Sequence, residues 1–145
     1  VFYARRAIEG RVMERLVETL EPKDIAALRV HIEQERRAAA ADDTASLIRL
    51  SGGFHLALAD LVGSDFLSST MRDLIARASL ITAVYRDTAQ FDCGPDEHKA
   101  IVDRLEAGDA QSAAALMIEH LNHIESELKL DERLSAELDL RTALL

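Results

Sequence analysis

Apolar residues recur along this chain at three- and four-residue intervals, the spacing that lines one face of an α-helix. The first stripe, over residues 1–20, is Val1, Arg5, Ile8, Val12, Leu16 and Leu20, with a cation set among aliphatic side chains. Glu21-Pro22 closes it, because proline disfavours helical geometry in the residue before it, and Pro22 suits the first turn of a second helix over 22–40. Asp42 and Asp43 mark a turn, and either carboxylate can cap a third helix over 44–62 whose stripe is Leu47, Leu50, Phe54, Leu58 and Leu61. Gly63 ends it, and Ser64 or Asp65 starts a fourth helix over 64–88 with Leu67, Met71, Leu74, Ala78, Ile81 and Tyr85 on its inner face. Residues 89–95 read as a loop, 96–107 as a fifth helix, and 110–128 as a sixth, with Gly108-Asp109 supplying the stop and the next N-cap. So short a link makes the last two helices an antiparallel pair. Residues 129–145 are charged and amphipathic, a seventh helix or a tail. No alternation of apolar and polar residues runs long enough for a strand, so the expected fold is all-α: an antiparallel bundle of six to seven helices, with the effector-binding bundle over residues 1–128 and the last helix or tail over 129–145.

Composition narrows the function. The 145 residues are 48% hydrophobic and 30% charged, those of one ordinary globular domain. A formal net charge of −9 argues against direct contact with nucleic acid, which needs clustered Lys and Arg. The single cysteine, Cys93, rules out an internal disulfide and a multi-cysteine metal site. With no apolar run near the ~18 residues of a membrane span and no signal-peptide pattern, the expected location is the cytoplasm, with no membrane partner.

Chemistry concentrates in the histidines. His98 lies about ten residues before the Gly108-Asp109 turn and His120 about eleven after it, so both stand ~16 Å from the turn at the helical rise. The hairpin therefore puts them at one height. His55 lies beside the stripe of the third helix, and a third imidazole pointing inward would complete a three-nitrogen site suited to Zn, Ni, Fe or Cu. The plainer alternative is that each is a hydrogen-bonded core histidine. His31 is expected on an exposed face, His123 as a solvated or supporting residue, and Glu97 pointing away from the cluster. Arg5 either anchors a carboxylate ligand or forms a surface i,i+4 pair with Glu9. Arg77 either faces a central pocket or extends to solvent, and Tyr85 either offers its hydroxyl to a ligand or fills the core. Met71 and Met117 are expected as core fillers, and Glu125, Glu127, Asp131 and Glu132 as a solvated face. No serine sits in a nucleophile elbow, so no hydrolase is expected.

Several segments then form an ordered set. Arg5-Arg6-Ala7-Ile8-Glu9, Phe54-His55-Leu56-Ala57-Leu58, Gly63-Ser64-Asp65-Phe66-Leu67, Glu97-His98-Lys99-Ala100-Ile101, Leu105-Glu106-Ala107-Gly108-Asp109 and His120-Leu121 follow one another over roughly residues 1–125. Together they resemble the C-terminal effector-binding (FCD) domain of the FadR branch of the GntR transcription regulators. That resemblance implies a central ligand pocket, a homodimer, a small carboxylate effector, and a divalent metal held by one Asp and three His. The histidines carry over to His55, His98 and His120. The aspartate position, four residues before His55, holds Ser51, a poor metal ligand, which puts the metal, Zn or Ni, in question while leaving Ser51 as a pocket residue. It also implies that DNA is contacted only through a winged helix-turn-helix outside residues 1–145. The leading expectation is thus a ligand-sensing, dimerising regulatory domain and not an enzyme. Two rivals stand beside it: a small helical metalloenzyme using the same three imidazoles, and a metal-free dimerisation module.

Overall fold

The computed structural model describes residues 1–85 and 94–129, and among them the secondary structure is entirely helical. The helices are α1 (Phe2–Thr19), α2 (Pro22–Ala40), α3 (Thr44–Asp60), α4 (Asp65–Tyr85), α5 (Gly94–Glu106) and α6 (Ala110–Lys129). The expected helical bundle is what forms. The expected seventh helix or tail, Cys93 and most of the 89–95 loop lie outside the described residues. Gly94 and Pro95, expected in that loop, instead open α5, where proline's fixed φ suits the first turn.

Local chemistry sets the boundaries. Glu21 and Asp24 form a capping box ahead of α2, and the Asp43 carboxylate accepts from the Ser46 amide at the start of α3. Asp109 does the same for α6 through Ser112. Gly63 and Gly108 take φ of 84° and 74°, the left-handed geometry that lets a helix end without a Cβ clash.

Neighbouring helices run antiparallel. α1 lies along α6, α6 along α5, α5 along α2, α2 along α3, and α3 along α4, which also touches α1. The main core joins Val12, Met13 and Leu16 of α1, Leu28 and Ile32 of α2, Phe54 and Leu58 of α3, Ile101 and Val102 of α5, and Met117 and Leu121 of α6. Met71 and Met117 are fully buried, as expected of core fillers. The acidic face is not uniformly solvated: Glu127 is 8% exposed, Glu125 pairs with Arg6, and Asp131 and Glu132 lie outside the described residues.

Two glycines inside α3 let its neighbours approach. A Cβ on Gly52 would stand 2.9 Å from Ile75 Cγ2 and 3.0 Å from Ser79 Oγ, whereas one on Gly53 would stand 3.2 Å from the His31 ring. Alanine brings about 1 kcal/mol of helix propensity to either site, but overpacking against a β-branched methyl costs about 1–3 kcal/mol. Gly52→Ala is therefore expected to lower the melting temperature and Gly53→Ala to leave it nearly unchanged. Equal melting temperatures in the two variants would contradict this packing account.

Candidate metal centre

Three helices each deliver one imidazole to the middle of the bundle. His55 of α3, His98 of α5 and His120 of α6 are all buried, and one ring nitrogen of each lies within 4.8 Å of the others. His98 Nε2 is 3.1 Å from His120 Nε2, which is 3.3 Å from His55 Nε2. Phe54 backs the cluster, its ring stacked on His98 with centroids 4.0 Å apart.

The opposite nitrogen of every ring meets a carboxylate. His55 Nδ1 donates to Glu9 Oε2 at 2.5 Å, His98 Nδ1 is 2.9 Å from both oxygens of Glu35, and His120 Nδ1 donates to Glu97 Oε2. Such a partner fixes the tautomer: the proton sits on Nδ1 and the Nε2 lone pair points inward. Three inward lone pairs at these separations cannot bond to one another. A cation between them removes the conflict, so the donor set fits a divalent ion. Each carboxylate has a further neighbour: Glu9 pairs with Arg5, Glu35 feels the charge of Arg36, and Glu97 bridges to His123.

Protonation follows from burial and neighbours. Burial pushes the His55 imidazole down to about 4, with Glu9 opposing, and holds His98 well below its ordinary value, reinforced by His120 and His55. Both rings are thus neutral near pH 7, the form that ligates metal. Burial works to raise Glu9, but the charges of His55 and Arg5 and the hydrogen bonds they donate bring it down to about 2. Burial pushes Glu35 up to about 8, with only Arg36 opposing.

The other expected site residues divide. Arg5 is buried and bonded through Nε to Glu9 Oε1 at 2.7 Å, so the i,i+4 pair exists but lies inside the protein and not on its surface. Arg5, Ser51 and His55 line one cavity of about 30 Å³ together with Gly52, Ser79 and Thr82. Arg77 does not reach it. Its side chain is 65% exposed and paired with Asp73 one turn back, because the stripe of α4 rotates that position outward. Tyr85 is half-buried at the end of α4 and is not among the cavity-lining residues.

Two further expectations need correction, and one residue was missed. His31 is not on an exposed face: it is half-buried, near the Phe54 ring, with Nε2 donating to the Leu50 carbonyl at 2.6 Å. Glu97 does not point away, since it bridges His120 to the half-exposed His123. Glu35 carried no expectation, yet its carboxylate is buried against His98. A signal for it existed, because Ile25, Leu28, Ile32 and Glu35 continue one apolar stripe.

The FCD family model matches residues 1–123. The chain belongs to the FCD domain family. An E. coli structure, McbR/YncC, superposes on this FCD domain with a TM-score of 0.79 at 19% identity. The match covers 88% of this chain and 65% of that one, and at such identity the likeness is one of fold. No curated protein matches the sequence. The motifs quoted above and the family match coincide, and both support an effector-binding regulatory domain. No helix among the described residues is long and apolar enough to cross a membrane.

Proposed function

We propose that this FCD domain is the ligand-sensing part of a FadR-type transcription regulator, with His55, His98 and His120 holding a divalent cation and Arg5 anchoring a small carboxylate effector beside it. The carrying observation is that each of the three imidazoles has its outer nitrogen committed to a glutamate while the inner nitrogens converge. Imidazole donors suit Zn or Ni, and three protein ligands leave coordination positions for water or a carboxylate. Ser51, where an aspartate ligand was expected, lines the cavity as a neutral hydroxyl. In this reading Glu9, Glu35 and Glu97 supply the balancing charge from behind the ligands.

The regulatory part of the reading is that an effector favours one arrangement of the bundle and so biases a DNA-binding domain outside this chain, within a cytoplasmic homodimer. The apolar side chains of Phe66, Leu80 and Val84, exposed on α4, support a second copy as partner. The non-enzymatic reading is supported by the match to the FCD family, a family of regulatory domains.

Protein purified without a metal-affinity tag is expected to carry near-stoichiometric Zn or Ni by elemental mass spectrometry, and His98→Ala to carry none. A parent that neither contains metal nor takes it up would end the metal reading. Glu35→Gln retains the shape but removes the carboxylate behind His98. Its metal affinity is expected to fall about 10–100-fold, the usual cost of an outer-shell change, as read by chelator competition. An unchanged affinity would reduce Glu35 to a packing role.

A further inference from the structure

The metal reading just proposed underlies this inference. The three imidazoles differ in the room each has to move. His98 is fully buried, pinned between the stacked Phe54 ring and the buried Glu35 carboxylate. His55 is 2% exposed with Glu9 behind it, and the cavity it lines has about 30 Å³, space for a few waters but not for a ring. His120 lines a cavity of about 160 Å³ between α5 and α6, whose wall is completed by Glu97, Ala100, Leu116, Glu119 and His123. A cavity of ~150 Å³ accommodates benzene, and an imidazole is smaller. The two carboxylates in this wall favour the approach of a cation.

His120 is held in the cluster by a relay of side chains along the same cavity. Its Nδ1 donates to Glu97 Oε2, Glu97 Oε1 accepts from His123 Nδ1 at 2.6 Å, and His123 Nε2 stands 3.1 Å from Glu127 Oε1. The side chains of Glu97 and His123 are 28% and 41% exposed, so water reaches this restraint, whereas Glu9 and Glu35 are buried.

We infer that His120 is the ligand that swings out into the 160 Å³ cavity, opening the path between solvent and the three inward nitrogens, and that Glu97 and His123 form the latch that sets how often it opens. Releasing His120 requires Glu97 to give up a hydrogen bond, and His123 holds Glu97 where that bond is made. The latch is crossed on the way in and on the way out. Weakening it therefore speeds uptake and release alike and leaves their ratio, the affinity, unchanged. A residue that only supports the bound state behaves otherwise, since its loss weakens affinity.

The test is stopped-flow measurement of Zn²⁺ uptake by the metal-stripped chain and of Zn²⁺ release into excess chelator, with affinity read by chelator competition. His123→Ala removes a half-exposed side chain and leaves the core intact. It is expected to speed both rates roughly fivefold, the effect of losing one ordinary hydrogen bond, at nearly unchanged affinity. Ala100→Leu places a good helix former in the cavity from α5 and should slow both rates severalfold.

Unmoved rates in Ala100→Leu would overturn the route. Unmoved rates in His123→Ala, or faster release at unchanged uptake, would overturn the latch and leave His123 a supporting residue. If Ala100→Leu does not fold, His123→Ala decides alone. If the parent takes up no Zn²⁺, the proposed function fails first, and the swing is judged in the metal-free chain by imidazole ¹⁵N relaxation dispersion. Exchange at His120 alone upholds it, and exchange absent there or equal at His55 and His98 overturns it.

Discussion

Metal-stripped protein given zinc at a thousand times its dissociation constant is expected to melt roughly 8–16 °C higher than without it. A ligand at that concentration, bound only by the native state, stabilises by about 4 kcal/mol, and each kcal/mol moves the transition of a domain this size by about 2–4 °C. Exclusive binding to the native state is a sound premise. The three ligands stand on α3, α5 and α6, with His55 and His98 43 positions apart in the sequence, and they converge only in the folded bundle. His98→Ala should show almost no zinc-dependent shift, because it removes a nitrogen that lies 3.1 Å from that of His120. Differential scanning calorimetry on both proteins decides the matter. A shift of the same size in His98→Ala would place the zinc elsewhere, and no shift in the parent would remove the metal from the description of this domain.

The second large effect is expected at Phe54. Its side chain is fully buried, stacks on His98, and meets His55 edge-on at 5.6 Å between ring centroids. Truncation to alanine loses the transfer energy of the ring and leaves a cavity, a combination that costs about 3–5 kcal/mol. Measured without metal by denaturant unfolding, Phe54→Ala should lose that amount. Phe54→Leu should recover much of it, because a branched aliphatic side chain refills most of the volume. Neither variant retains the flat surface that holds the His98 ring, so both should bind zinc more weakly than the parent. A loss under about 1 kcal/mol in Phe54→Ala would mean that the core collapses around the gap, contrary to what the complete burial of the ring implies.

Much of this arrangement was legible in the sequence because the deciding features are local. Pro22, Asp43, Gly63 and Gly108-Asp109 act within a few residues of where they stand, and they end or begin helices for reasons of backbone geometry and capping. The meeting of His98 and His120 followed from counting residues outward from a short turn. The glutamates behind the imidazoles were harder to see. Glu9, Glu35 and Glu97 sit on amphipathic helices, where a carboxylate usually faces water, and each finds its histidine on a different helix. Recognising them needs the rotation of one helix against another, which helical spacing alone does not supply. Arg77 illustrates the reverse case, in which the outward of its two expected orientations is the one found. It flanks an apolar stripe by count, but Asp73 one turn earlier on the same exposed face offers it a partner in water. Arg5 forms the expected pair with Glu9, but inside the protein and not on its surface.

The placement of the three carboxylates has a consequence for how the bundle opens. Glu9 comes from α1, Glu35 from α2 and Glu97 from α5, while the imidazoles come from α3, α5 and α6. Five helices are therefore tied to one point by hydrogen bonds, and α4 touches that point only through the cavity wall. In amide hydrogen exchange, such a hub makes the five helices a single cooperative unit whose protection rises and falls together, with α4 free to exchange on its own schedule. The helix that exposes the most apolar surface is thus also the one least fastened to the centre.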